Sequence, residues 1–141
     1  MTAELGQVKW RKVNEWRDGT IQRESIETHK PVFMLFQEIP GWGTCVNFGI
    51  GPMSDLELVS MIENQFIPVA IRNNTSNGTP NHQVLTDFNE PSWNNPVVRF
   101  LFVKEDCSTV DIIKRKDGVY STKDVKKRCF QALEQYNKIS K

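Results

Sequence analysis

The sequence lacks a Cys-x-x-Cys pair, a full set of disulfide partners and any long apolar run. Its three cysteines, Cys45, Cys107 and Cys129, cannot all pair within the chain, so a disulfide-stabilised scaffold is not predicted. No stretch reaches the roughly 18 consecutive apolar residues that a membrane-spanning helix needs. The first ten residues also lack the apolar core of a signal peptide. We therefore expect a cytoplasmic protein, or a mature form that has lost its leader.

Excess charge and the common ligand-binding motifs are absent as well. The chain has 18 Lys and Arg against 17 Asp and Glu, a formal net charge of +1. No overall field attracts nucleic acid or an acidic membrane, and neither is expected as a partner. There is no P-loop, GxGxxG or HExxH motif and no four-ligand zinc spacing. We expect neither a cofactor nor a metal site.

What the sequence does contain is the composition of a folded domain. Its 141 residues are 38% hydrophobic and 25% charged, which is typical of a globular protein. This length suffices to bury a core and is close to the commonest size of one domain. We therefore predict a single domain.

Apolar runs, turn residues and helix caps predict an α/β fold. The predicted order is helix, strand, helix, strand, helix, strand, strand, helix. The first half alternates, so its strands should be parallel, whereas the last two strands are close enough to form an antiparallel hairpin. The predicted elements are a helix capped by Asp18 that runs to about Thr28, a strand from Val32 to Phe36, a helix from Gly43 or Thr44, a helix with a capping box of Ser54 and Glu57, a strand from Ile67 to Arg72, a helix from Pro80 capped by Thr79, strands from Pro96 to Val103 and from Thr109 to Arg115, a turn at Asp117-Gly118, and a helix capped by Ser121 and Asp124.

Four stretches of the chain carry a resemblance to the thioredoxin-like superfamily: KPVFMLFQEIPGWGTC, NQFIPVAI, NNPVVRFLF and KDGVYSTKDVKKR. Together they cover roughly residues 25 to 138. The resemblance implies a three-layer α/β/α sandwich with a mixed sheet, parallel in its first half and ending in an antiparallel hairpin and a helix. It also implies that residues 1–141 form one such domain, with an N-terminal extension of about residues 1–24.

The resemblance places the active-site motif at Gly41, Trp42, Gly43, Thr44 and Cys45. Cys45 matches the second cysteine of the family's Cys-x-x-Cys motif, and Trp42 stands where the first, attacking cysteine usually stands. This implies a thiol/disulfide oxidoreductase lineage with a degenerate motif. With one sulfur, only monothiol chemistry is available, in which catalytic Cys45 forms a mixed disulfide with a protein thiol or glutathione.

Trp42 has a second explanation at the level of the gene. The tryptophan codon TGG differs by one base from both cysteine codons and from TGA, which some redox proteins read as selenocysteine. We therefore also consider that Trp42 replaces a natural cysteine or selenocysteine.

The resemblance identifies Pro96 as the candidate cis-proline opposite the motif. Trp93, Asn94 and Asn95 would then flank a substrate groove, in which exposed backbone groups pair with an extended peptide. The alternative is that Trp93, Asn94 and Asn95 only build a tight turn through side-chain to backbone hydrogen bonds.

The chemistry of Cys45 depends on two opposing effects. A helix N-terminus favours the thiolate and lowers a cysteine pKa, whereas burial favours the neutral thiol and raises it. Cys45 is therefore either a functional thiol or a packed remnant. If it is a remnant, the chain is a non-enzymatic binding protein that holds an extended peptide at Trp42, Trp93 and Pro96.

Overall fold

The apolar run that begins at Val32 forms the central strand of a mixed sheet. The computed structural model describes residues 3–90, 96–116 and 120–140. Within these ranges, four strands lie in the order β2-β1-β3-β4. β1 is parallel to β2 and antiparallel to β3, and β3 is antiparallel to β4. The strands are β1 Val32–Gln37, β2 Ile67–Arg72, β3 Val97–Val103 and β4 Thr109–Asp111.

Helices cover both faces of this sheet. The helices are α1 Val13–Arg17, α2 Thr20–Thr28, α3 Thr44–Ile50, α4 Leu56–Gln65, α5 Pro80–Phe88 and α6 Thr122–Ile139, with 3₁₀ turns at Ala3–Leu5 and Pro52–Ser54. None of the helices in the described ranges is long and apolar enough to cross a membrane.

Two apolar clusters, one on each face, hold the layers together. Alternate residues of β1 point to opposite faces, so Phe33 enters one cluster and Met34 the other. The Phe33 cluster takes the buried faces of α4 and α6, and the Met34 cluster takes those of α2 and α5. The mixed sheet between two helical layers confirms the predicted α/β architecture, with a parallel first half and an antiparallel second half.

Three local predictions were wrong. The helix predicted from Asp18 begins at Thr20 with Gly19 as its N-cap, because Asp18 ends the preceding helix α1. Asp55, not Ser54, caps α4: its carboxylate accepts a hydrogen bond from the Leu58 N–H at 3.0 Å. The Ser54 hydroxyl instead donates to the Gly49 carbonyl at 2.7 Å, so it is not available to the helix. β4 ends at Asp111 rather than Arg115, whose guanidinium turns away to the Glu90 carboxylate at 2.7 Å.

Other local predictions are confirmed. β2 has the predicted bounds, and the Thr79 hydroxyl accepts from the His82 N–H at the start of α5. At the start of α6, Ser121 and Asp124 form a capping box. The predicted Asp117-Gly118 turn lies outside the described residues.

The N-terminal segment packs along the edge of the sheet. Arg11 forms a parallel bridge with Val69 of β2, and its N–H donates to the Pro68 carbonyl at 2.8 Å. Val8 and Ile21 are fully buried. Ahead of this bridge, the turn Ala3–Leu5 lies against α3. Residues from the start of the chain therefore reach the helix that carries Cys45.

Candidate active site

A loop from Glu38 to Gly43 joins the end of β1 to the start of α3. The side chain of Asn74 holds this loop from outside, accepting from the Ile39 N–H at 2.9 Å and donating to the Pro40 carbonyl at 3.3 Å. The Ile39–Pro40 peptide bond is cis. The two hydrogen bonds of Asn74 fix the path of the loop into the helix.

Gly41 lies where the chain passes closest to Cys45. A Cβ atom at position 41 would lie 2.8 Å from the Cys45 Cβ and 2.5 Å from the Glu38 carbonyl oxygen. Both distances are too short for any side chain, so glycine is required here. The Gly41 N–H donates to the Glu4 carboxylate at 2.7 Å, which connects the motif to the N-terminal turn.

Trp42 projects into solvent. Its side chain is 84% exposed, and it makes no ring contact within the described part of the chain. The next residue, Gly43, has φ +42° and caps α3, in a conformation that a side chain rarely adopts. Position 42 is thus presented on the surface at the start of the helix, and the indole is not part of the core.

Cys45 lies beneath position 42. It is the second residue of α3, is 2% exposed, and its N–H donates to the Trp42 carbonyl at 3.0 Å. The buried Gln37 amide donates to the carbonyl oxygens of both Cys45 (3.1 Å) and Glu4 (2.8 Å). This amide therefore ties the end of β1 to α3 and to the N-terminal turn.

Burial determines the state of the Cys45 thiol. Loss of solvation is the largest effect and raises its pKa above the ordinary value. A hydrogen bond with the Glu38 backbone and one with the Thr44 side chain act in the opposite direction, whereas the negative charges of Glu38 and Glu4 add to the increase. Burial is therefore the main effect on this thiol, and its surroundings disfavour the thiolate.

Pro96 lies at the same end of the sheet as the motif. β1 and β3 are antiparallel, and Phe36 near the end of β1 pairs with Val97 at the start of β3. Pro96 directly precedes Val97 and is buried. The sheet therefore brings Pro96 and the motif loop to one edge. Trp93, Asn95 and the Asn95–Pro96 peptide bond lie outside the described residues, so the predicted cis bond and groove stay predictions.

The other two cysteines lie in elements separate from the motif. Cys107 is exposed in the turn between β3 and β4, at the end of β3 opposite Pro96. A strand of seven residues spans about 20 Å, which separates this turn from the motif end. Cys129 is fully buried in α6, and burial raises its pKa to about 12. None of the three cysteines forms a disulfide.

Sequence reasoning missed the polar residues that support the motif. Glu4, Gln37 and Asn74 come from separate parts of the chain, and only the fold brings them to the loop. Gln37 carried a weak signal, because it is a polar residue at the end of an otherwise apolar strand. Across the described ranges, no group of three or more His, Cys, Asp or Glu side chains could hold a metal ion.

Solved structures with the same architecture include a thioredoxin from Thermus thermophilus. It superimposes with a TM-score of 0.71 at 15% sequence identity, covering 95% of this chain and 93% of that chain. This chain has a thioredoxin-like fold. A DsbH oxidoreductase is also similar, with a TM-score of 0.63 at 11% identity, covering 95% of this chain and 90% of that one. A scan against known protein families and a search of curated proteins give no match.

The thioredoxin-like fold confirms the architecture that the sequence predicted. At these identities the likeness establishes the fold alone. The roles of Trp42 and Cys45 have to be argued from their own geometry.

Proposed function

We propose that this chain belongs to a lineage of thioredoxin-like thiol/disulfide oxidoreductases whose redox pair occupies positions 42 and 45. Trp42 then stands at the position of the attacking cysteine or selenocysteine. The observation that carries the proposal is the contrast in exposure: position 42 is 84% exposed, and Cys45, three residues later in the same turn, is 2% exposed.

This contrast is what a dithiol mechanism requires. A thiolate at an exposed position 42 attacks a substrate disulfide, forms a mixed disulfide and releases one substrate thiolate. The Cys45 thiol, after losing its proton, attacks the sulfur of residue 42. This step forms the 42–45 disulfide and releases the second substrate thiolate. The substrate gains two electrons and the pair loses two, and a protein or small-molecule thiol such as glutathione returns them.

With tryptophan at position 42, the first step has no nucleophile. Cys45 is then the one sulfur of the motif, and its burial and raised pKa oppose direct attack on a substrate. We therefore expect weak monothiol activity from the chain with Trp42 and full activity when position 42 carries a sulfur or selenium.

The variant Trp42→Cys tests this proposal. The reduced variant should reduce a disulfide-bonded peptide in a one-to-one reaction and lose the mass of two hydrogens as the 42–45 disulfide forms. Trp42→Cys combined with Cys45→Ser should instead accumulate a mixed disulfide with the peptide. Trp42→Ser is the matched control, because it removes the indole and adds no sulfur.

Two results would count against the proposal. One is a folded Trp42→Cys variant that leaves the peptide oxidised. The other is a variant that reacts but does not form the 42–45 disulfide. Reading the genomic codon at position 42 separates the two origins of the tryptophan: TGG makes it the natural residue, whereas TGA or a cysteine codon makes it a replacement.

The exposed indole also favours a second candidate, a non-enzymatic protein that binds extended peptides. An exposed tryptophan is an energetically costly surface residue that commonly contacts a partner. Under this alternative, Trp42→Ala should weaken the binding of unstructured, cysteine-free peptides, and Cys45→Ser should leave it unchanged. Titrations monitored by intrinsic fluorescence distinguish the two candidates, since only the redox function depends on the sulfur at position 45.

A further inference from the structure

A cavity of about 640 Å³ lies between the N-terminal segment and the outer edge of β2. Its apolar wall includes Trp10, Val13, Ile39 and Ala70. This volume falls within the range of sites that bind small organic molecules, about 300–1,000 Å³. The redox proposal, which uses Trp42 and Cys45, assigns no role to this cavity.

The apolar wall is fixed by contacts outside the cavity. The Trp10 indole N–H donates to the Leu5 carbonyl at 2.8 Å, and its ring packs on Phe33 with centroids 5.9 Å apart. The bridge between Arg11 and Val69 holds the segment against β2 on the other side. A ligand would therefore meet a preformed surface and would not have to order it.

The charges that line the cavity have one sign. Among the residues that the structure describes, four cationic residues border it and no aspartate or glutamate does; the four are Lys9, Arg11, Lys12 and Arg72. Arg11 is already neutralised by ion pairs with Glu15 at 3.1 Å and Glu24 at 2.8 Å. Within the described ranges, the side chains of the other three cations form no ion pair with a carboxylate. The carboxylates of Glu63 and Glu15 accept from the backbone N–H groups of Lys9 and Lys12 and offset part of this charge. The side chains of Lys9, Lys12 and Arg72 still give the rim of the cavity a positive excess beside an apolar wall.

We infer that this cavity binds a small organic anion with an apolar body, of the class of medium-chain or aromatic carboxylates. The apolar body would cover Trp10, Val13 and Ala70, whose burial provides the non-directional part of the binding energy. The carboxylate would lie at the rim near Lys12 and Arg72. A neutral ligand of the same shape gains the apolar contacts and not the attraction to the cations. The rim therefore provides the selectivity for anions.

Octanoate and 1-octanol form a matched pair of probes, because they share an alkyl chain and differ in charge. We expect octanoate to shift the backbone amide signals of residues 9–14 and 70–72 and the indole N–H signal of Trp10 in ¹H–¹⁵N spectra. For a ligand of about ten non-hydrogen atoms, a dissociation constant near the millimolar range is expected. 1-Octanol should shift the same signals with weaker affinity.

Two variants distinguish the contribution of the cationic rim to binding from that of the apolar cavity. The double variant Lys12→Gln, Arg72→Gln should bind octanoate more weakly, by roughly two- to fivefold for each charge removed. Its affinity for 1-octanol should be unchanged. Ala70→Leu should fill the cavity and weaken both ligands, with folding checked by urea unfolding. Lys12→Gln alone changes no contact of the motif loop, so this substitution should leave disulfide reduction by the Trp42→Cys protein unaffected.

Three outcomes would overturn this inference, and all can be read from the unmutated protein or the charge variant. They are signal shifts that map to another surface, equal affinity for octanoate and 1-octanol, and octanoate binding that is unchanged after both charges are removed. Because the readout is binding, the result stands whether or not the redox proposal survives.

Discussion

The Gly41 N–H and the Glu4 carboxylate form a hydrogen bond of 2.7 Å between residues 37 positions apart in sequence. Glu4 is 7% exposed, and its negative charge is one of the effects that raise the pKa of Cys45. The same side chain therefore holds the motif loop in place and disfavours the thiolate. Structure and reactivity of the motif are linked through one carboxylate at the start of the chain.

Glu4→Gln should separate these two roles. The glutamine side chain keeps an oxygen that accepts from the Gly41 N–H and removes the negative charge, so the pKa of Cys45 should fall while the fold persists. The measurement is the rate of Cys45 alkylation against pH, followed by peptide mass spectrometry in a Cys107→Ser background. The alkylation midpoint should move to lower pH than in the parent.

Glu4→Ala is the informative comparison. It also removes the charge, but it leaves the Gly41 N–H without its acceptor, at a cost of about 1–3 kcal/mol in stability. If Glu4→Gln left the alkylation midpoint in place, the carboxylate would have no electrostatic role in the motif.

Gly49→Ala should detach the N-terminal turn from α3. A Cβ atom at position 49 would lie 1.9 Å from the Ala3 carbonyl oxygen and 2.6 Å from the Glu4 carbonyl carbon, and backbone atoms cannot give way as a side chain does. We expect a loss of about 1–3 kcal/mol in the free energy of unfolding, together with faster tryptic cleavage at Lys9. Asn47→Ala, an exposed substitution on the same helix, is the matched control. Unchanged cleavage at Lys9 would show that the turn does not depend on this contact.

Glu90→Gln should lower the free energy of unfolding by more than the same substitution does at an exposed glutamate. The Glu90 side chain is 1% exposed and accepts from Arg99 at 2.5 Å and from Arg115 at 2.7 Å. Without this charge, Arg99 keeps its ion pair with Asp111, whereas the hydrogen bonds from Arg115 lose their charged acceptor. We expect a cost of about 1.5–3 kcal/mol. Glu134→Gln breaks an exposed pair with Lys138 and should cost less than about 1 kcal/mol. Urea unfolding of both variants provides the comparison, and equal losses would contradict the proposed importance of burial.

The elements that the sequence predicted well are those whose signals are local. The five residues from Val32 form an apolar run because β1 is covered on both faces, and such a run identifies a buried strand without further information. The caps of α5 and α6 are equally local, since Thr79 and Ser121 each act within three residues. The prediction of the α4 cap was wrong because two adjacent residues, Ser54 and Asp55, are both of a type that caps helices. The hydroxyl of Ser54 is bonded to the Gly49 carbonyl, and Asp55 is the residue that caps the helix.

The position of the candidate site could be predicted from the sequence, but the surroundings of its cysteine could not. The motif between Gly41 and Cys45 follows from its position after β1, and the structure presents it at the start of α3. The burial of Cys45 did not follow, because it depends on Gln37 and Glu4. Gln37 bonds to Glu4 across 33 sequence positions, and a glutamate near the start of a polar segment is ordinarily solvated. Contacts at such separations leave no local pattern in the sequence.

The buried thiol of Cys129 should make the protein sensitive to alkali. Its pKa is about 12 in the fold against an ordinary value of 9.0, so the folded state keeps a proton that the unfolded state loses. This contribution is fully present below pH 9 and is lost as the pH rises from 9 towards 12, by about 1.4 kcal/mol for each pH unit. Cys129→Ala lacks this group, so the stability difference between the parent and the variant should shrink above pH 9.

Urea unfolding across this range measures this stability difference, and Cys107→Ser, which removes an exposed thiol, tests whether the loss belongs to Cys129. The raised pKa values of Cys45 and Tyr136 act in the same direction in all three proteins and cancel in the comparison. Curves for the parent and Cys129→Ala that stayed parallel would mean that the core admits the thiolate without cost.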